Sequence, residues 1–181
     1  MHIAPFNNKN QAIVDVNNEL VPLTYFNIVK LKAGEQFYYE VSGYETCIVP
    51  ATGTIDVEVA GQTYEAVGNR KVDVWGGEPE AVYVPVGIKA KFTCLTEHTE
   101  VFIAGAKYEK VLEPFDVRVS ELDLVQYGSD DTKTHRKIKH ILGQKQANQV
   151  GRLLVSELFT VGQGGWSGFP SHKHDTNRLP E

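Results

Sequence analysis

No apolar run in this 181-residue chain approaches the ~20 residues that a helix needs to cross a bilayer. The opening MHIAPFNNKNQ carries neither the basic nor the apolar block of a secretory signal. On this reading no membrane partner is expected, and a cytoplasmic location is. Positive charge is scarce as well: the net charge is −5, and basic residues gather only in THRKIKH at Thr134–His140. A nucleic-acid binder needs a continuous positive footprint, so no nucleic-acid partner is expected. Cysteine is limited to Cys47 and Cys94, both in strand-like apolar segments. Their spacing fits no small disulfide framework and lacks the CxxC pairing of a zinc ribbon, so both are read as buried thiols. Two catalytic signatures are missing too. There is no GxxxxGK[ST] phosphate loop, and the glycine runs in GGEPEAVYVPVG and VGQGGWSG lead into no helix signal. Nor is there a GxSxG nucleophile elbow: Ser167 of GWSGF stands at the start of a strand rather than in a strand-to-helix turn.

Strand signal, by contrast, is abundant. From Asn27 to Lys107 the segments NIVKLKAG, EQFYYEVS, ETCIVPATG, TIDVEVAG, QTYEAVG, KVDVWGG, AVYVPVG, IKAKFTCLT and EVFIAGAK follow one another. They are rich in Val, Ile, Tyr, Phe and Thr, and Gly or Pro interrupts them at short intervals. TIDVEVA alternates cleanly, placing Ile55, Val57 and Val59 on one face and Asp56 and Glu58 on the other. Many short, evenly spaced strands predict an all-β antiparallel sandwich or barrel, closed so as to hide its edges. Trp75 in VDVWGG is expected to pack within it. The segment EPFDVRVSELDLVQYGSDDTKTHRKIKHILG is charged and weakly periodic, with YGSDDTKTH reading as an exposed loop. RLLVSELFTVGQGGWSGFPSHKHD then returns to strands and glycines. The expected organisation is a first β domain over 1–115, a connector over 116–148 and the opening of a second β domain over 149–181.

The two β parts overlay when Gly34 of IVKLKAGEQFYYEVSGYET is set on Gly162 of VSELFTVGQGGWSGFPSHKHD. Tyr38 then meets Trp166, Val41 meets Phe169, and Tyr44 and Thr46 meet His172 and His174. This weak repeat suggests a duplicated barrel. Residues i and i+2 of a strand share a face. His172 and His174 therefore point together while Lys173 points away, which presents two imidazoles to one divalent ion. A solvated His-Lys-His segment is the competing reading of these residues taken alone.

Here a family resemblance enters. HKHD preceded by GGWSGFPS resembles the first metal motif of the cupins, and more narrowly the 5-deoxy-glucuronate isomerase family of bacterial inositol catabolism. ETCIVPATGTIDVEVAG and AVYVPVGIKAKFT are similar to that family's N-terminal cupin strands. The resemblance implies a cupin fold (a double-stranded β-helix or jelly-roll barrel) and a bicupin whose C-terminal barrel holds the metal and is only begun in this chain. In the first barrel PVG at Pro85–Gly87 matches the second cupin motif, but Ala90 stands where that motif has histidine. The HxH positions fall on Tyr44 and Thr46 in the gapless overlay, or on Tyr39 and Val41 in a register set by Glu45 and Gly53. Neither offers imidazoles, so the first barrel is expected to be a metal-free scaffold.

The resemblance further implies an aldose–ketose isomerase acting on a small sugar acid, converting 5-deoxy-glucuronate to 2-deoxy-5-keto-gluconate with one divalent ion (Zn, Mn, Fe or Ni). Its ligands would be His172, His174 and Glu181, although six residues separate His174 from Glu181 where the motif has three or four. Arg152 and Arg178 are the guanidinium candidates for a substrate carboxylate; the general base is left unassigned. His2 and His98 are read as surface residues. His135 and His140, beside Arg136, Lys137 and Lys139, form either a solvated basic face or a cationic wall against the second barrel. The strand edge from Leu153 to Phe159 invites pairing with another chain, so a homo-oligomer is expected. The alternative kept open is a non-catalytic cupin-fold protein for binding or assembly, and a metal-dependent oxygenase is a third, since one fold hosts many chemistries.

Overall fold

The computed structural model describes residues 6–165. Regular structure among them is β-strand throughout, apart from two 3-10 turns at Val119–Glu121 and Gln144–Gln146. Strands β1 (Thr24–Lys32), β2 (Gln36–Tyr39), β3 (Tyr44–Val59), β4 (Gln62–Arg70), β5 (Ala81–Val84), β6 (Ala90–Cys94), β7 (His98–Lys107) and β8 (Phe115–Val117) build a cupin-like barrel. One layer runs β1-β7-β3-β5-β8; the other joins β2, β6, β4 and the second half of β3. Every pairing is antiparallel. The expected all-β class is therefore observed.

Two segments read as separate strands, ETCIVPATG and TIDVEVAG, are one 16-residue strand, β3, that changes layers. Its first half pairs with β7 and β5, its second half with β4 and β6. The corner lies where the register against β7 shifts between Pro50 and Thr52, next to Gly53 at φ +78°. A Cβ at Gly53 would stand 2.6 Å from the His98 carbonyl oxygen and from Thr96 Oγ1. Glycine here turns the strand instead of ending it. Beyond the corner Ile55, Val57 and Val59 face the core with Val29, Phe92 and Ile103, as the alternation predicts.

KVDVWGG is not a strand. Asp73 Oδ1 accepts a hydrogen bond from the Trp75 amide at 2.9 Å, and the Asp73 carbonyl accepts one from Gly76 at 3.3 Å. These bonds close a local turn that competes with pairing. Trp75 consequently lies outside the barrel, 72% exposed, with its ring edge-on to Phe159 at 5.0 Å.

A second antiparallel sheet follows, ordered β11-β10-β9 from β9 (Asp123–Tyr127), β10 (Arg136–Leu142) and β11 (Val155–Thr160). The span 116–148 thus contains β9 and β10, and YGSDDTKTH forms their exposed connection, as expected. Ile141, Leu142 and Leu153 pack against Cys47, Val49 and Tyr83 on the outer face of the first layer. Residues 44–49 of β3 are therefore covered on both sides: Tyr44 and Ile48 face the barrel core, Cys47 and Val49 the second sheet. Burial on both faces accounts for the unbroken apolar run there. Both cysteines are buried and free, and burial pushes the Cys47 thiol up, away from nucleophilic use.

Candidate functional site

The first barrel places its motif positions together. Tyr39 on β2 lies opposite Ala90 on β6, and its hydroxyl is 2.9 Å from Thr46 Oγ1 on β3. Tyr25 and Asn27 of β1 face the same interior, both buried, and the Asn27 Oδ1 has no hydrogen-bond partner among the described residues. Gly105 of β7 makes room: a Cβ there would come within 3.1 Å of both Thr46 Cγ2 and Tyr25 Cβ. Tyr44 turns its hydroxyl away, donating to the Pro22 carbonyl at 2.6 Å, and Val41 is buried in the core. Burial raises the Tyr39 and Tyr25 phenols, with the neighbouring Thr46 and Asn27 side chains acting in the opposite direction. All of these groups stay neutral at physiological pH. Among the described residues the interior offers phenols, the hydroxyls of Thr46 and Thr99, the Asn27 amide and the Cys94 thiol, the last occupied with the Thr96 carbonyl, and neither imidazole nor carboxylate. That donor set does not fit a divalent ion, which takes nitrogen, thiolate or carboxylate ligands. Among the described residues no three His, Cys, Asp or Glu side chains converge.

His172, His174, Glu181 and Arg178 lie outside the described residues. Arg152 lies on the loop before β11, with Nη2 3.8 Å from Glu109 Oε2 and nearly half of its side chain exposed. His140 is on β10 and His135 immediately precedes it: His135 bridges Asp130 at 2.9 Å and Gln126 at 3.1 Å, and His140 Nδ1 meets Ser156 Oγ at 2.7 Å. The basic stretch is therefore neither a free solvated face nor open to a ligand throughout. Lys139 pairs with Glu78 at 2.7 Å and lies 4.4 Å from the Phe159 ring centroid. His98 is exposed, as expected.

Sequence reading missed the residues that fix β11 to the barrel. Glu45 is fully buried on the outer side of β3. Its Oε2 accepts from the Tyr83 hydroxyl at 2.7 Å and the Gly151 amide at 2.8 Å. Its Oε1 accepts from the amides of Arg152 at 2.5 Å and Leu153 at 2.8 Å. One carboxylate thus holds three consecutive N–H groups of the loop that carries Arg152. Burial, and next the Glu45 carboxylate beside it, keep the Tyr83 phenol protonated as the donor. A second tie joins the end of β4 to the middle of β11: the guanidinium of Arg70, a residue 2% exposed, meets Glu157 through a two-pronged contact at 2.7 and 2.5 Å. Arg70 Nε donates in addition to the Gly77 carbonyl at 3.2 Å. The available signal was a carboxylate inside an apolar run, in YETCIVP and again in LLVSELFTV. A charge so placed needs a dedicated partner.

Comparison with known proteins agrees with this architecture. The sequence profile of the KduI/IolB family matches residues 2–181. Proteins named 5-deoxy-glucuronate isomerase are similar over most of the chain. The one from Bacillus licheniformis is 30% identical over 169 residues, covering 93% of this chain and 60% of its own. The one from Shouchella clausii is 31% identical over 171 residues, covering 92% and 60%. The chain spans about three-fifths of the length of these relatives. A crystal structure of an IolB-like protein from Salmonella typhimurium LT2 superposes with a TM-score of 0.81 at 26% identity, covering 97% of this chain and 64% of that one. A putative glyoxylate-induced protein from Pseudomonas aeruginosa shares the fold alone, with a TM-score of 0.50 at 14% identity over 67% of this chain.

Proposed function

Since this chain belongs to the KduI/IolB family, we propose that it is the scaffold barrel and the opening of the metal-binding barrel of a sugar-acid isomerase. The reaction is the conversion of 5-deoxy-glucuronate to 2-deoxy-5-keto-gluconate in myo-inositol catabolism. The observation that carries this reading is the continuity of the match: similarity to proteins named 5-deoxy-glucuronate isomerase runs over 92–93% of the chain. The first barrel, residues 1–115, serves as scaffold; the stretch from 149 onward supplies the site, and 116–148 joins them. His172, His174 and Glu181 hold a divalent ion, Zn, Mn, Fe or Ni, which when bound supplies Lewis-acid polarisation of a carbonyl and its neighbouring hydroxyl. Arg152 and Arg178 offer guanidinium forks to the substrate carboxylate. Glu45 positions the Arg152 backbone, and Arg70 fixes β11, which precedes the histidines in the sequence.

Metal analysis of the purified chain tests the assignment. About one ion per chain is expected, and His172→Ala should release it while leaving the circular dichroism spectrum unchanged. Metal content near zero that His172→Ala does not alter would sink the reading. Binding of 5-deoxy-glucuronate without turnover would favour a non-catalytic cupin instead.

A homo-oligomer belongs to the same reading. Among the described residues β11 is an edge strand, paired on one side only, and Leu154 and Leu158 are exposed beside that edge. Such an edge is a template for another strand. Light scattering coupled to size exclusion should give a mass of at least two chains; a monodisperse monomer counts against it.

A further inference from the structure

The mouth of the first barrel holds an open cleft of about 570 Å³ that the proposed isomerase site does not use. That volume lies within the ~300–1,000 Å³ typical of small-molecule sites, and barrel mouths are a preferred place for them. Tyr39, Val59 and Ala90 form its floor, and Ala90 is the position where the family motif has histidine. The hydrogen bond between the Tyr39 and Thr46 hydroxyls fixes that floor. One wall is the β3–β4 hairpin, where Ala60 and Gly61 both have positive φ (51° and 77°), the conformation of a tight two-residue turn. The opposite rim carries the exposed ring of Tyr38, and Lys89 and Lys91.

The charges of this rim decide what it would hold. Lys91 is taken by an ion pair with Glu58. Lys89 is exposed and has no ion pair among the described residues. The mouth therefore presents one unmatched cation above an aromatic and aliphatic floor, with the amide of Gln62 and the hydroxyl of Thr63 at its side. We propose that the first barrel's mouth is a second small-molecule site, for a singly charged, hydroxyl-bearing carboxylate. The ligand sets its carboxylate on Lys89, its carbon skeleton against Tyr38, and its hydroxyls toward Gln62 and Thr63. The site uses none of the residues proposed to hold the metal, so it stands or falls independently of the metal assignment.

Amide-resolved NMR titration of the full chain carrying His172→Ala with D-glucuronate tests this, because that background removes the proposed metal site. Saturable shifts are expected at the amides of Tyr38, Gly61, Thr63 and Lys89. Lys89→Ala should weaken the affinity about three- to five-fold, the scale of an exposed charge pair, and uncharged D-glucose should bind more weakly than D-glucuronate by a similar factor. Tyr38→Ala should weaken both sugars. Both substituted residues are exposed, so the fold is expected to survive. Absence of saturable shifts at those amides overturns the site, and equal affinity for the two sugars, or indifference to Lys89→Ala, overturns its assignment to an anion.

Discussion

Glu45→Ala is expected to lower the melting temperature by about 10 °C and to free the loop ahead of β11. The argument begins with the environment. A carboxylate at 0% exposure can be tolerated only if its lone pairs are occupied, and four donors occupy them here. Removing it strands three backbone N–H groups and the Tyr83 hydroxyl against an apolar wall. Each stranded buried donor costs about 1–3 kcal/mol. The loop relieves part of that by detaching and hydrating, so a net loss of about 3–4 kcal/mol is expected, which corresponds to about 10 °C for a chain of this size. Tyr83→Phe deletes one donor and leaves the acceptor satisfied by the other three, so it should cost about 1 kcal/mol. Hydrogen exchange separates this from general destabilisation. The amides of Gly151, Arg152 and Leu153 should be protected in the parent and exchange in Glu45→Gln faster than those of β7. Uniform acceleration across the barrel, or a melting temperature within 2 °C of the parent for Glu45→Ala, overturns the role assigned to this residue.

The same contact shows where sequence reasoning reached and where it stopped. Strands with one wet face announced themselves: Ile55, Val57 and Val59 alternate with Asp56 and Glu58, and the alternation survives folding. The first half of β3 has no wet face, so its parity was hidden, and Gly53 looked like an ending because a positive-φ glycine marks corners and ends alike. Trp75 misled for a different reason. Large aromatics usually belong to a core, but Asp73 closes a local turn that carries the ring outside, onto Phe159 of a strand the sequence does not connect with it. The ties of Glu45 reach loop amides more than 100 residues further along the chain. No local pattern encodes such a partner; only the anomaly of a carboxylate inside an apolar run hints that one exists. The family resemblance was legible from short motifs because these keep residue identity. The tie between barrel and second sheet keeps only chemistry, and so became visible with the fold.

Arg70→Leu should be the other strongly destabilising change, and its rescue is more informative than the loss. The substitution leaves Glu157, only 19% exposed, without its two-pronged partner, a situation that costs about 3–5 kcal/mol. Arg70→Lys should recover only part of this, since an ammonium cannot present two parallel donors to one carboxylate or reach the Gly77 carbonyl as well. The double replacement Arg70→Leu with Glu157→Leu removes both charges and adds apolar contact beside Trp75 and Phe159. Its stability should return to within about 1 kcal/mol of the parent, because two hydrophobic groups do not carry the desolvation cost of two ions. Salt supplies the independent control. An exposed pair weakens as ionic strength rises, whereas this one, with its guanidinium at 1% exposure, is shielded from mobile ions. The cost of Arg70→Leu should therefore be nearly the same in 0.05 M and 1 M sodium chloride by denaturant titration. A cost that vanishes in high salt, or a double variant no more stable than Arg70→Leu alone, would show that β11 is held by its apolar contacts and not by this pair.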